Sequence, residues 1–311
     1  MRFFTRILIP LLLLAALATG VLYWFAPGVL LDAEFARLAW MAGVEKRSLD
    51  SSGHHWVYYE GGEGPTVVLI HGFAGSKENW LPAARHLTDT HHVIIPDLPG
   101  WGETTRVAGN DYGVRAQVKR FRAWVGALGL PNVHIVGHSM GGHIAGLYAA
   151  RYPNRTASLV LVETAGVRFT PNDFARRVFA GETPFNYGSR EELDAFFADL
   201  FQQPPRLPPR IKDALVERSQ QNHGFQSQLL DVIGRGDEAF VLEGELGNIK
   251  SATQIIWCNG DKLLDKSSID VLTRSLPRAQ VAMLYGCSHM PMIEQPSALA
   301  APMLEFWAAL P

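Results

Sequence analysis

The chain has 311 residues, 47 % of them apolar, and a formal net charge of −2. That composition supports a sizeable core and excludes a disordered chain, and the length suits one large α/β domain with an insertion or two smaller domains. The charge balance, with no Lys/Arg block, gives no footing for nucleic acid. Two cysteines, Cys258 and Cys287, are too few for a disulfide scaffold and lack zinc-ligand spacing, so two free thiols are expected, with one bridge in an oxidising compartment as the alternative.

Residues 7–31 contain no charged side chain. A bilayer core of about 30 Å needs about 20 apolar residues in a helix, and this run supplies them. Arg2 and Arg6 flank one end, Tyr23, Trp24 and Phe25 fall at the other, and Pro27-Gly28 ends the helix. The positive-inside rule then keeps the N-terminus cytoplasmic, which in a Gram-negative bacterium puts the rest of the chain in the periplasm beside the inner membrane. Ala16-Leu17-Ala18 also offers a signal-peptide cleavage site. The apolar run continues past it, which favours a retained anchor over residues 1–28. Residues 29–48 read as a moderately amphipathic helix with Leu31, Phe35 and Leu38 on one face, either a linker packed on the domain or a juxtamembrane helix in the headgroup region.

From His54 onward, strand-like and helix-like runs alternate. W-V-Y-Y-E, T-V-V-L-I-H, H-V-I-I-P, V-H-I-V-G, S-L-V-L-V-E, T-Q-I-I-W-C and Q-V-A-M-L-Y are short and mostly apolar, as strands buried on both faces of a parallel sheet are. Helical stretches, such as residues 113–128 and 140–152, lie between most of them. The pattern predicts a doubly wound α/β sheet, with its first part over residues 49–166 and its second over 248–311. Residues 167–247 show no strand and read as an inserted helical cap. Thr170-Pro171-Asn172-Asp173 and Ser189-Arg190-Glu191-Glu192 look like capping boxes, and Pro204 and Pro209 set helix boundaries. The cap's Phe174, Phe179, Phe196, Phe197, Leu200, Phe201, Leu229 and Leu230 either pack on the sheet domain or line an apolar pocket.

Gly137-His138-Ser139-Met140-Gly141 matches G-x-S-x-G between a predicted strand and a predicted helix. In such a sharp turn the serine is strained and side chains two residues either side collide, so glycine stands at both. A serine nucleophile there takes its acid and its base in the chain order Ser, Asp or Glu, His. Of the downstream histidines, His143 sits on the following helix and His223 in the cap. His289, in Y-G-C-S-H-M-P after the last strand, is the candidate base. The candidate acid is Asp261, in I-I-W-C-N-G-D-K after the penultimate strand, with Asp265 and Glu163 as alternatives. Backbone N–H groups of Phe73 and Met140 are the candidate oxyanion donors. Asp97 to Gly102 reads as a structural turn and His138 as packing or support. The pairs His54-His55 and His91-His92 do not suggest metal, because neighbours on a strand face opposite ways. Neither a metal nor an organic cofactor is called for.

H-G-F, D-L-P-G-W-G, G-H-S-M-G-G and the late S-H together resemble the α/β-hydrolase superfamily over roughly residues 50–311. Residues 117–121 (Q-V-K-R-F), G-L-Y-A-A-R-Y-P after the serine, T-Q-I-I-W…L-L-D and the anchor are similar to membrane-anchored monoacylglycerol lipases and bacterial inner-membrane phospholipases A. The resemblance implies an α/β-hydrolase fold, a helical lid over an acyl-binding tunnel, and hydrolysis of glycerolipid or lysophospholipid esters. Cys258 and Gly260 depart from the usual W-G-x-x-D while keeping the acid in register.

The resulting expectation is a membrane-anchored serine esterase whose partners are the bilayer and an acyl-ester lipid, with homodimer formation left open. A soluble small-ester or carbon–carbon bond hydrolase is the alternative. A non-catalytic lipid-binding protein on a hydrolase fold is the reading of another class.

Overall fold

A computed structural model describes residues 2–310, and of residues 2–7 the backbone only; the Arg2 and Arg6 side chains lie outside the described residues. Helix α1 (Arg2–Phe25) carries no charged residue from Ile7 onward, and no residue of Leu8–Phe25 is buried. At 1.5 Å per residue its 24 residues span about 36 Å, enough to cross a bilayer core. Pro27 opens α2 (Pro27–Met41), where its missing N–H costs nothing. The chain then turns at Gly43 into β1 (Val44–Ser51), so residues 44–48, expected to continue the helical segment, belong to the sheet. The hairpin to β2 (His54–Gly61) turns on Ser52 and Gly53, both at positive φ.

The remaining strands are β3 (Thr66–Ile70), β4 (His92–Pro96), β5 (Val133–His138), β6 (Thr156–Val162), β7 (Ala252–Cys258) and β8 (Gln280–Leu284). Their order is β1-β2-β4-β3-β5-β6-β7-β8; β1 and β2 are antiparallel to their neighbours and β3 to β8 run parallel. Successive strand residues feed opposite cores. Val68, Ile70, Ile135, Leu159 and Leu161 pack under α4 (Val114–Ala127) and α5 (Met140–Arg151), whereas Val67, Leu69, Val136, Val160 and Val162 face the other layer. That second layer includes the short α3 (Leu81–Ala84) and is met by Ala39 and Ala42 at the end of α2.

The cap between β6 and β7 carries α6 (Asp173–Phe179), α7 (Arg190–Leu200) and α8 (Pro209–Ile233). Asn172 caps α6, its Oδ1 accepting from the Ala175 N–H at 2.9 Å; the capping box expected from Thr170 does not form, and the Thr170 N–H donates to Ser267 Oγ instead. Ser189 caps α7 through the Glu192 N–H. Helix α8 also holds the N-terminal segment, because Arg210 donates to the Trp24 carbonyl at 3.0 Å and Arg218 pairs with Asp32 at 2.8 Å. Helices α9 (Ser268–Ser275), α10 (Pro291–Glu294) and α11 (Pro296–Ala308) complete the α/β layers.

Cys258 and Cys287 form a disulfide, with Cα atoms 5.5 Å apart, which corrects the expectation of two free thiols. Cys258 ends β7 and Cys287 follows the adjacent parallel β8, where strands about 4.8 Å apart bring the two positions within bridging reach.

Candidate active site

Ser139 is the N-cap of α5 at φ 54° and ψ −120°. Its N–H donates to the Val162 carbonyl at 3.0 Å and its carbonyl accepts from Ala165 N–H at 3.1 Å, which lock the turn against β6. The flanking glycines are sterically required. A Cβ on Gly137 would lie 2.2 Å from the Gly141 carbonyl oxygen, and one on Gly141 would lie 2.4 Å from the Ile70 and His71 carbonyl oxygens.

His289 follows β8 and is buried. Its Nδ1–H donates to Asp261 Oδ2 at 2.9 Å, while Asp261 Oδ1 accepts the Leu263 and Leu264 N–H groups at 2.8 and 3.1 Å. The carboxylate is therefore fixed on both oxygens, leaving Nε2 as the free face of the imidazole. The bridge between Cys258 and Cys287 ties the loop bearing Asp261 to the loop bearing His289. Asp265 instead accepts from the Ser267 N–H at the start of α9.

The supporting residues were less legible. His138 donates from Nε2 to the His289 carbonyl at 2.7 Å, and burial, with His289 beside it, holds its pKa well below the usual imidazole range. His71 accepts the Leu98 N–H on Nε2 at 3.0 Å and so donates from Nδ1 to the Gly72 carbonyl at 2.8 Å. Burial brings its pKa down to about 4, keeping that neutral tautomer at neutral pH. The Gly72 carbonyl and the Phe73 N–H share one planar peptide unit and point opposite ways, so this bond sets the direction of the Phe73 N–H. Glu294 accepts the Ser288 N–H on one oxygen and the Gln202 and Gln203 N–H groups on the other, joining the His289 loop to the end of the cap.

The segment from Asp97 to Gly102 does more than turn. Asp97 and Lys77 are both buried and pair at 2.8 Å, and Glu78 and Glu103 also approach the ammonium. Burial disfavours the Lys77 charge, but these carboxylates outweigh it and raise its pKa. The network fastens the segment after β3 to the segment after β4, and Lys77 gave no sequence signal beyond an ordinary surface lysine.

Ser139, Phe73, Met140 and His289 open into one apolar cavity whose walls include Phe174, Phe179 and Leu230 of the cap. Phe169, Phe185, Phe240 and Ile233 line it too, without any distinguishing signal in the sequence. Phe196, Phe201 and Leu229 are instead buried in packing. Among the described residues, His138, Glu163 and His289 bring potential ligand atoms within 4.8 Å of one another. The His138 Nε2 that faces this group carries a proton donated to a carbonyl, so it offers no lone pair to a metal.

The geometry combines a strained serine at a helix N-terminus, an imidazole oriented by a fixed carboxylate, and an apolar chamber roofed by the cap. It is suited to attack on a carbonyl attached to an apolar chain. The sequence profile of the alpha/beta hydrolase fold matches residues 65–296. Monoacylglycerol lipase ABHD6 of Mus musculus is 32 % identical, over 80 % of this chain and 77 % of its own length. Lipase 1 of Psychrobacter immobilis is 32 % identical, over 81 % of this chain and 80 % of its own. The crystal structure of a bacterial membrane phospholipase A, described as a virulence factor, superposes with a TM-score of 0.88 at 36 % identity, covering 98 % of this chain and 99 % of that one. A meta-cleavage product hydrolase from Pseudomonas fluorescens superposes at 0.72 with 27 % identity, covering 84 % and 97 %.

Proposed function

Since this chain belongs to the alpha/beta hydrolase fold family and is an ester-cleaving hydrolase of the lipase class, we propose that Ser139 cleaves acyl esters of membrane glycerolipids through an acyl-enzyme. His289 takes the Ser139 proton as Oγ attacks the carbonyl carbon. Asp261 holds the imidazole tautomer and stabilises the imidazolium. The Phe73 and Met140 N–H groups stabilise the oxyanion, and the proton on His289 then passes to the departing alcohol. Water, activated by the same base, releases the fatty acid.

The single observation that carries the lipid reading is the continuity of the serine with the aromatic chamber of the cap. An acyl chain buried there gains about 25 cal/mol per Å² of apolar surface removed from water. The likeness to the membrane phospholipase A extends over 98 % of the chain, and so includes the N-terminal helix, whereas the likeness to the meta-cleavage product hydrolase covers 84 %. This favours a membrane lipid over a small soluble substrate. The helix α1 supports anchoring by a single span, Arg2 and Arg6 before its apolar run support a cytoplasmic N-terminus, and the disulfide supports a catalytic domain in an oxidising compartment such as the periplasm.

Profiling the purified full-length protein against monoacylglycerols, lysophospholipids and diacyl phospholipids tests the reading. Release of fatty acid from at least one class, abolished by Ser139→Ala, is the expected result. Turnover of small soluble esters with no lipid hydrolysed would refute the lipid assignment.

A further inference from the structure

One carboxyl beside the proposed triad has no part in the reaction above. Glu163 directly follows β6 with φ 46°, a left-handed conformation rare for a residue with a side chain. Its N–H bonds to the Ile256 carbonyl at 3.0 Å, and the fully buried side chain accepts the Cys258 N–H on Oε1 at 2.9 Å. Its Oε2 has no hydrogen-bond partner among the described residues and stands 3.6 Å from His289 Nδ1 and 3.8 Å from His138 Nε2. His138 does not satisfy it, because that N–H is donated to the His289 carbonyl. A left-handed backbone and an orphaned buried oxygen are both unfavourable. Both costs are met at one residue, aimed at the Nδ1 edge of the proposed base.

We propose that Glu163 is a positioning residue for His289: a second carboxyl on the Nδ1 side of the imidazole, which takes over the acid's place when Asp261 is replaced by a neutral side chain. This rests on the triad reading above. The titratable groups facing it are His138 from the end of β5, Asp261 from the loop after β7, and His289 and Glu294 from the segment after β8. Burial, reinforced by the Asp261 charge, holds its pKa well above the usual carboxylate range and so favours its neutral form. With a neutral side chain at position 261 the part of that rise due to the Asp261 charge is gone, and Glu163 can release its proton to water and accept the Nδ1–H on Oε2.

Steady-state kinetics of the full-length protein across pH, on one soluble ester, test this with Asp261→Asn, Glu163→Gln and the double variant, each checked for folding by its melting temperature. Glutamine keeps the Oε1 acceptor for Cys258 but not the ionisable group. Asp261→Asn is expected to keep a residual kcat at least about tenfold above the double variant, rising with pH as Glu163 ionises, while KM stays level. Glu163→Gln alone should cost less than tenfold. Equal kcat and equal pH dependence in Asp261→Asn and the double variant would overturn the proposal, as would an Asp261→Asn enzyme no more active than Ser139→Ala. If Asp261→Asn does not fold, Asp261→Ala carries the same comparison. A Glu163→Gln enzyme as inactive as Ser139→Ala, beside an active Asp261→Asn, would instead make Glu163 the primary acid and refute the triad itself.

Discussion

At φ 54°, Ser139 sits where a side chain is tolerated only because its surroundings enforce it, and the hydrogen bonds to Val162 and Ala165 do the enforcing. Removal of the hydroxyl should therefore leave the fold intact while removing the proposed nucleophile. Ser139→Ala and His289→Ala are each expected to lower kcat by about 10⁴–10⁶ with little change in melting temperature, and Asp265→Asn to be mild, as steady-state assays and thermal melts would show. A second prediction concerns His143, which the triad does not use. It is buried in α5 with Nε2 unpartnered, and burial brings its pKa down to about 3. The unfolded chain binds a proton on this imidazole below about pH 6.5, whereas the folded chain does not until far lower pH. Its contribution is thus harmless above pH 6.5 and destabilising as pH falls below it. His143→Leu should flatten the decline of unfolding free energy between pH 6 and pH 5 by about 1 kcal/mol per pH unit in denaturant titrations. An unchanged slope would contradict this account of the residue.

Seven of the eight strands, the antiparallel β2 and the six parallel strands β3 to β8, stand out in the sequence because their runs are short and mostly apolar, as strands buried on both faces are. The eighth, β1, is an edge strand reading V-E-K-R-S-L-D-S with only Val44 buried, so no hydrophobic run announces it. The serine turn was legible because glycine is needed where backbones pass at van der Waals contact. His71, Glu294 and Lys77 were not, and His138, read as packing or support, could be given no partner, since each acts on a partner remote in sequence, and a lone polar residue does not reveal which backbone group it will meet. The bridge was only the lesser alternative in the sequence for a related reason: a count of two cysteines says little, and it is the adjacent parallel strands that put Cys258 and Cys287 side by side. Its predicted effect belongs to the elements it joins. Replacing both cysteines with alanine should destabilise the protein by about 3–4 kcal/mol for a loop of 29 residues. It should also lower kcat more than it raises KM, because the loops of Asp261 and His289 lose their tie. Kinetics matching the wild type in the double variant would assign the bridge to stability alone.

For the whole molecule, the N-terminal helices and the cap form one connected arrangement: α1 and α2 contact α8, and α8 contributes Leu230 and Ile233 to the chamber. A cut at Val44 would strip Ala39 and Ala42 from the core, so the informative deletion ends before Pro27. That truncated protein should leave the membrane fraction, keep most of its rate on a short-chain ester, and lose rate on bilayer lipid, because it no longer concentrates at the surface. Loss of both activities in a folded truncation would mean that α1 itself shapes the chamber. The central claim, that acyl transfer runs through Ser139, is tested most directly by intact-protein mass spectrometry of the full-length chain treated with a fluorophosphonate, followed by peptide mapping. The account predicts one adduct per chain, on Ser139, with ester hydrolysis lost in proportion and no adduct on Ser139→Ala. An adduct on another residue, or ester hydrolysis persisting in fully labelled protein, would contradict it.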